Sequence, residues 1–321
     1  KLAWWLRRRY RQRPLPSART ICAWLSAAGA TRPHVRHARN GPVLISPRRL
    51  VAQRPNDVWT VDFKGWFRTA DRKRVGPLTV RDAASRYVLE ARHVRPRDAE
   101  VDAAMCRLFR EYGLPRAIQV DNGPPFGSCG PRGWTTLSLK WVKLGIVVQY
   151  GRPGCPQDNA AHEQTHAVLQ REVAEPPAAT FCAQQRRLSW WRRRYNQQRP
   201  HESLGMRPPA QLYRRSQRKL QPCRPPSYPS GLEPVQLDSR GRLFWRGLQR
   251  LIGKAFIRET VGLKQIDPQV CEVYFATHLL GTLHAQDKTG LRPVLWRRAG
   301  SRKGEGATPP PSTLPTNVRP S

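Results

Sequence analysis

Three acidic residues, Asp62, Asp121 and Glu163, have the chemistry and the surroundings that a metal-dependent phosphoryl-transfer site needs. Carboxylates repel a phosphate backbone unless a divalent cation lies between them, because the bound ion inverts the local charge. Magnesium prefers oxygen ligands and keeps several waters, so two or three carboxylates from different elements can hold it. We therefore interpret these residues as candidate catalytic residues and as candidate ligands of Mg²⁺ or Mn²⁺.

The chain around these carboxylates is strongly basic. Its 321 residues include 57 Lys and Arg against 22 Asp and Glu, giving a formal net charge of +35 and a pI near 11.4. Such a field attracts polyanions, which favours nucleic acid as the partner.

The seven cysteines never form a C-x-x-C pair, which argues against a disulfide framework or a zinc ribbon. Because no apolar run suits a membrane span or a signal peptide, we expect a cytoplasmic, nucleoid-associated protein without membrane contacts.

The elements that must position the two aspartates follow an α/β pattern. We predict strands at Val58–Phe63, 78–81, 87–91 and Ala117–Val120, with a helix at 99–112. The first three strands form an antiparallel meander, and the last one ends just before Asp121. Ligands bind at strand ends in open α/β sheets, so Asp62 and Asp121 are expected to share a site. The alternative is that Asp121-Asn122-Gly123 is only a turn.

The third carboxylate lies on a predicted helix at 159–173. Ala161, Val168 and Leu169 mark its buried stripe, so Glu163 points to the opposite side, into a cleft. An ordinary solvated glutamate is the alternative.

The remaining chain predicts further domains on both sides of this α/β segment. Ser17 can cap a short helix that ends at Gly29, and basic residues precede it, which suggests part of a helix-turn-helix DNA-binding unit or a small packing helix. Because the sequence begins at Lys1, we expect an N-terminal part to be missing. The predicted organisation is a helix-turn-helix region and linker at 1–40, a core at 54–215, a linker at 216–230, a small β-rich domain at 231–298 and a disordered tail at 299–321.

Two further segments have alternative interpretations. The tract 186–199 places Trp190, Trp191 and Tyr195 among arginines, and we expect a helix that buries its aromatic residues rather than one that stacks them on bases. The segment 127–136, rich in Gly and Ser, is expected to be a surface loop.

A rival chemistry follows from residues 162–166, which read H-E-x-x-H. On a helix, His162 and His166 share a face and could bind zinc, with Glu163 as the general base of a metalloprotease. The basic charge and the lack of an evident third ligand argue against this alternative.

Several ordered motifs resemble one known family. They are WTVDFKG at 59–65, DAASRY at 82–87, VDNGPPF at 120–126, PQDNAAHE at 156–163 and RPHESLGMRPPA at 199–210. Together they resemble the catalytic core of DDE transposases of bacterial insertion sequences, which is of the retroviral-integrase type. The resemblance covers about 54–215 strongly and extends weakly to a C-terminal β domain, and several agreeing motifs are more specific than one.

The resemblance implies a ribonuclease H-like α/β fold, a mixed sheet flanked by helices, with a small C-terminal β-barrel. It also implies that Asp62, Asp121 and Glu163 hold Mg²⁺ while the enzyme cuts DNA at transposon ends and joins the 3′-hydroxyl to target DNA, as a homo-oligomer. Beside them we predict DNA contacts at Lys64, Arg86, Asn122, Asn159, Gln170 and Arg171.

This chain departs from the family pattern at three positions. Relatives usually have Gly where this chain has Ala160, and often Lys where it has Ala167 or Gln170. A catalytically decayed DNA-binding remnant or regulator is therefore the alternative to an active transposase.

Overall fold

The structure is a computed structural model that describes residues 6, 10, 15–30, 50–151, 160–287 and 290–294. The helices are α1 (Ala18–Ala27), α2 (Asp98–Tyr112), α3 (Thr136–Lys143), α4 (Ala160–Leu169), α5 (Phe181–Gln198) and α6 (Pro209–Leu212). The core strands are β1 (Val58–Phe63), β2 (Phe67–Arg68), β3 (Arg74–Val75), β4 (Pro77–Asp82), β5 (Val88–His93), β6 (Ala117–Val120) and β7 (Val147–Tyr150). The C-terminal strands are β8 (Glu233–Gln236), β9 (Arg242–Trp245), β10 (Leu248–Leu251), β11 (Thr260–Asp267), β12 (Val270–Phe275), β13 (His278–His284) and β14 (Arg292–Pro293).

The α1 helix lies in a first compact unit that ends at residue 41, and all later elements lie in a second. As predicted, the Ser17 hydroxyl caps α1 by accepting a hydrogen bond from the Thr20 backbone N–H at 3.1 Å. Most of the predicted helix-turn-helix region lies outside the described residues. No helix in the described part of the chain is long and apolar enough to cross a bilayer.

The core sheet is five-stranded and mixed, in the order β5-β4-β1-β6-β7. The strands β1, β4 and β5 pair antiparallel, which confirms the predicted meander, while β1–β6 and β6–β7 pair parallel. All six residues of β4 are buried, as expected for a strand covered on both faces. The predicted α/β class with a mixed sheet and flanking helices is therefore confirmed.

Alternation along the strands divides the sheet into two faces. Trp59 and Val61 of β1 pack on one face, in the same apolar cluster as Leu108 and Phe109 of α2. Because successive side chains of a strand point to opposite faces, Thr60 and Asp62 belong to the other face. That second face is covered by α4 and α5, whose buried residues join a separate apolar cluster. The helix that carries Glu163 therefore lies on the face to which Asp62 belongs.

The α5 helix confirms the interpretation of the arginine-rich tract for Trp191 and Tyr195, but not for Trp190. Trp191 and Tyr195 are buried, whereas Trp190 is 49% exposed and has the Arg194 guanidinium 5.1 Å from its ring centroid. The aromatic residues on one side of the helix thus pack against the sheet, and the charged residues remain in solvent.

The N-terminus of α5 provides a test of a single local interaction. Thr180 Oγ1 accepts a hydrogen bond from the Ala183 backbone N–H at 3.2 Å. We expect Thr180→Ala to lower the free energy of unfolding by about 1 kcal/mol, because an orphan helix donor loses its acceptor. Thr180→Ser keeps the hydroxyl, so its free energy of unfolding, measured by urea denaturation, should be close to that of the wild type. Equal stability of the two variants would contradict the cap.

The segment 127–136, predicted as a surface loop, is largely packed instead. The ring of Trp134 is 3% exposed, and its centroid lies 6.4 Å from that of Phe256 and 6.2 Å from that of Phe275. Arg132 Nη1 donates to the Leu279 carbonyl at 3.1 Å. The prediction was wrong because Gly and Ser suggested a turn, while the decisive residue was the single tryptophan that packs against the C-terminal sheet.

The predicted β-rich C-terminal region is present. Its strands form an antiparallel sheet in the order β14-β13-β12-β11-β8, with β9 and β10 as a separate hairpin. Within the described residues this sheet is open rather than a closed barrel. Pro234 in β8 has no N–H to donate, which suits a strand at a sheet edge.

The domain boundaries at 216–230 and 231–298 stay predictions. The predicted linker has neither helix nor strand, yet it lies along the core: Ser216 N donates to the Tyr112 carbonyl at 2.8 Å, and Leu114 N donates to the Arg218 carbonyl at 2.7 Å. The predicted tail lies outside the described residues.

Candidate active site

Asp62 and Asp121 stand at the same ends of two neighbouring parallel strands. The β1–β6 ladder pairs Thr60 with Gln119, an offset of 59 positions. The same offset separates Asp62 from Asp121, which directly follows the last residue of β6. Neighbouring strands are about 4.8 Å apart, so two carboxylates in this register can approach one ion together.

Asp121 is exposed, but the surrounding protein partly desolvates its carboxyl. Desolvation raises the pKa of its carboxyl above the ordinary value, and a hydrogen bond from the Gly123 backbone N–H opposes the rise. Next to it, Asn122 Nδ2 donates to the Gly151 carbonyl at 2.8 Å and joins the ends of β6 and β7. A nearby cation would favour the charged form of such a carboxyl.

Glu163 lies in the first turn of α4 and is exposed. The buried residues of this helix are His162, Thr165, Val168 and Leu169, so Glu163 is outside the packed stripe, as predicted. The predicted helix 159–173 is interrupted, since α4 ends at Leu169 and a π-helical turn follows over Gln170–Ala174.

Two histidines fix α4 to the sheet. His162 Nε2 and His166 Nε2 lie 2.6 Å and 2.7 Å from the hydroxyl oxygen of Thr79 on β4. His162 Nδ1 lies 2.9 Å from the hydroxyl oxygen of Thr60 on β1. The turns on either side of Glu163 are therefore tied to the strand that carries Asp62 and to its neighbour.

Both rings are held in the neutral form. Burial, together with the nearby Arg81 guanidinium and His166, lowers the pKa of His162 well below its usual range. Burial, together with Lys64 and Arg81, lowers the pKa of His166 to about 4. These rings consequently add no charge to the site near neutral pH.

This geometry bears on the metalloprotease alternative. Both ring nitrogens of His162 are occupied by threonine hydroxyls, so the ring has no free lone pair for zinc. The two histidines of the H-E-x-x-H sequence do share a face, but that face is packed on the sheet.

Arg81 completes the buried polar layer beneath α4. Its Nη1 donates to the Thr165 hydroxyl at 3.1 Å and to the Ala161 carbonyl, and burial lowers its pKa to about 10. Sequence reasoning missed Thr60, Thr79 and Arg81. The available signal was their alternation, since Thr60 is two positions before Asp62 and Thr79 is two before Arg81, which puts polar residues on one face of buried strands.

The convergence of all three carboxylates stays a prediction. Over the described ranges, no three His, Cys, Asp or Glu residues form a group that could hold a metal ion. Asp62 and Asp121 suit magnesium in donor type and in their placement at neighbouring strand ends. Glu163 of α4 is not assembled with them into one group.

The predicted DNA contacts have varied surroundings. Lys64 is half-buried directly after β1, and Arg86 lies in the turn between β4 and β5 with a φ of 64°. Gln170 donates to the carboxylate of Glu175, and the exposed Arg171 donates to the Ala167 carbonyl at 3.3 Å. Asn159 lies outside the described residues. Their roles in DNA binding stay predictions.

Two family models match parts of the chain. Residues 144–209 match the integrase core domain, and residues 234–290 match the C-terminal domain of IS481 family transposases. The first segment contains α4 and α5, and the second runs from within β8 to beyond β13. One segment of the chain is thus similar to an integrase core domain, and a later segment is similar to a transposase C-terminal domain.

Two similar proteins come from insertion elements. The chain is 35% identical over 181 residues to an uncharacterized 39.2 kDa protein of insertion element IS476 from Xanthomonas euvesicatoria, covering 53% of this chain and 48% of that protein. It is 27% identical over 187 residues to a 31.7 kDa protein of IS407 from Burkholderia multivorans, covering 55% and 62%. The chain thus spans about half to three fifths of these relatives. These matches confirm the predicted resemblance to insertion-sequence transposases with an integrase-type core.

Among solved structures, the HTLV-2 integrase catalytic core in complex with magnesium aligns at a TM-score of 0.40 and 14% identity, covering 51% of this chain and 100% of that one. A chain of the simian T-cell lymphotropic virus intasome aligns at a TM-score of 0.43 and 18% identity, covering 82% and 95%.

Proposed function

We propose that this protein is a DNA transposase that cleaves strands at the ends of an insertion element and joins the exposed 3′-hydroxyl to target DNA. The observation that carries the proposal is the register of β1 and β6, whose shared offset brings Asp62 and Asp121 to the ends of neighbouring strands. The matches to the integrase core and to the IS481 transposase C-terminal domain support the same reaction class.

The three carboxylates would hold Mg²⁺, or Mn²⁺, in this site. Asp62 and Asp121 supply oxygen donors from strand ends, and Glu163 supplies one from the exposed side of α4. The chemistry that the bound ions supply is activation of the attacking oxygen and stabilisation of the leaving oxygen in an in-line displacement. Because Asp62 and Asp121 are placed by neighbouring strands, the position of α4 decides whether the Glu163 carboxylate can bind the same ion.

The positive charge of the chain is the reason for proposing DNA as its partner. A net charge of +35 provides an electrostatic attraction to phosphates that does not depend on sequence. Lys64, Arg86, Asn122, Asn159 and the 170–171 pair are the proposed contacts beside the site. Joining two ends to one target requires at least two copies of the chain on DNA, and we propose that this occurs at the nucleoid, in the cytoplasm.

A strand-cleavage assay tests this function. Labelled duplexes carrying the ends of the native element are incubated with the full chain and Mg²⁺, and nicked and joined products are separated on denaturing gels. We expect products with Mg²⁺ and none with a chelator. Glu163→Gln should lose about 1,000-fold in rate, because about 4 kcal/mol of metal-dependent stabilisation is removed.

Gln164→Ala is the matched control for Glu163→Gln, since Gln164 is the next exposed residue of α4. It should keep the wild-type rate. Unchanged turnover in Glu163→Gln would refute the catalytic assignment. Salt-sensitive DNA binding by a wild-type protein that yields no products would instead establish the DNA-binding remnant or regulator.

A further inference from the structure

We propose that the hydroxyl group of Thr79 is a positioning group that sets the place of Glu163 relative to Asp62. It would do so by joining α4 to β1 through a network of hydrogen bonds with only one allowed arrangement of protons. This inference rests on the proposed function, since it concerns the position of α4, from which the Glu163 carboxylate would have to approach the two aspartates.

Three hydrogen bonds meet at the Thr79 oxygen. Thr79 on β4 is the register partner of Asp62 on β1, and its Oγ1 lies 3.0 Å from the Asp62 backbone carbonyl. The same atom lies 2.6 Å from His162 Nε2 and 2.7 Å from His166 Nε2. One oxygen atom therefore contacts the residue that carries the first carboxylate and the two residues around the third.

The protons of this cluster can be assigned by counting. A hydroxyl group has one proton to donate and two lone pairs that accept. The Asp62 carbonyl can only accept, so the Thr79 proton must go to it. Both imidazoles must then donate, which means that His162 and His166 each carry their proton on Nε2.

The second nitrogen of His162 agrees with this assignment. A neutral ring with its proton on Nε2 accepts at Nδ1, where the Thr60 hydroxyl lies 2.9 Å away. The other acceptor within reach of that hydroxyl is the Arg81 carbonyl, at the longer distance of 3.4 Å. Thr60 therefore donates to His162, and every polar atom of that ring is satisfied.

Because Thr79 is buried, water cannot readily replace its hydroxyl as a hydrogen-bond partner. Thr79 is 1% exposed and His162 is 1% exposed. Without the hydroxyl, the imidazole N–H groups of His162 and His166 lose the acceptor that they share. The Arg81 and Thr60 bonds to α4 remain, so we expect the helix to shift on the sheet rather than to detach. Thr79 would act on the position of Glu163 only through His162 and His166, the histidines that it contacts.

Binding of Mn²⁺ to the full chain, followed by electron paramagnetic resonance, tests the role without requiring turnover. Thr79→Val keeps the shape and removes the hydroxyl, and we expect it to weaken Mn²⁺ binding by about 10- to 100-fold, the usual effect of losing a group that orients a metal ligand. Thr79→Ser keeps the hydroxyl and should stay within about 3-fold of wild type.

Thr282→Val is the matched control. Thr282 also bonds a histidine, His284 Nε2 at 3.0 Å, but it lies on β13 in the C-terminal sheet. It should leave Mn²⁺ affinity unchanged. Thermal unfolding of all variants separates a displaced helix from a general loss of stability.

The proton assignment has its own measurement. Long-range ¹H–¹⁵N spectra of histidine-labelled protein should show His162 and His166 as Nε2–H tautomers in wild type, and Thr79→Val should shift both sets of signals. A proton on Nδ1 of either ring, or Mn²⁺ binding by Thr79→Val equal to wild type, would overturn the inference. A wild-type protein that neither binds Mn²⁺ nor cleaves DNA would overturn the proposed function instead. In that case the tautomers of His162 and His166, read from the same spectra, would still show whether the hydrogen-bond network exists.

Discussion

Replacing Asp62 by Asn should abolish metal-dependent DNA cleavage, with a loss of about 1,000-fold or more in rate. An amide keeps the size of the side chain but removes the negative charge that a divalent cation needs. Losing about 4 kcal/mol of transition-state stabilisation corresponds to that factor. Asp121→Asn should behave in the same way, because the two residues occupy equivalent places on neighbouring parallel strands. The measurement is the initial rate of strand nicking with saturating Mg²⁺.

Asp102→Asn is the control for both aspartate variants. Asp102 lies on α2 and pairs with Lys140 Nζ at 2.6 Å, so the same chemical change is made in an ion pair away from the strand ends. Partly exposed ion pairs contribute about 0–1 kcal/mol, and cleavage should remain near wild type. Comparable losses in Asp102→Asn and Asp62→Asn would show that the effect is not specific to the site.

Replacing Trp191 by Ala should lower the free energy of unfolding by about 3–5 kcal/mol. The side chain is 1% exposed, it packs with Tyr195 at a ring-centroid distance of 5.1 Å, and its Nε1 donates to Glu172 Oε2 at 3.0 Å. Truncation therefore opens a cavity in the layer that covers the sheet and removes one of the two donors to the Glu172 carboxylate, which keeps its bond from Arg199 Nη1 at 2.8 Å.

Trp190 provides a matched control for Trp191 because the two tryptophans are adjacent. Trp190 is 49% exposed, so Trp190→Ala should change the free energy of unfolding by no more than about 0.5 kcal/mol. Urea denaturation followed by circular dichroism measures both variants. A similar loss in both would mean that the two sides of α5 are not packed as described.

The elements around the aspartates could be predicted closely from the sequence. β1 and β6 have the predicted bounds, because each is a short apolar run bordered by polar or turn-forming residues. α3 and β7 were not predicted, although both are well buried. Their sequence lies beyond the insert at 127–136, where the Gly and Ser content suggested a loop and concealed the packing of Trp134.

The acidic residues of the candidate site could be predicted from the sequence, but the hydrogen bonds that hold α4 on the sheet could not. Asp62 and Asp121 could be placed at strand ends because strand ends follow from local pattern. The link between α4 and the sheet could not be predicted in this way, because it depends on three residues far apart in sequence, Thr60, Thr79 and His162, meeting across two strands and a helix. The H-E-x-x-H pattern suggested zinc for these histidines, whereas their nitrogens bond to hydroxyl groups.

The central claim is that Asp62, Asp121 and Glu163 hold the same divalent ions. Anomalous diffraction from crystals of the full chain soaked in Mn²⁺ and bound to element-end DNA tests it most directly. We expect an anomalous peak within about 2.0–2.5 Å of carboxylate oxygens from all three residues, in the range that divalent cations show with oxygen ligands. Manganese bound elsewhere, or held without Glu163 while DNA is present, would contradict it.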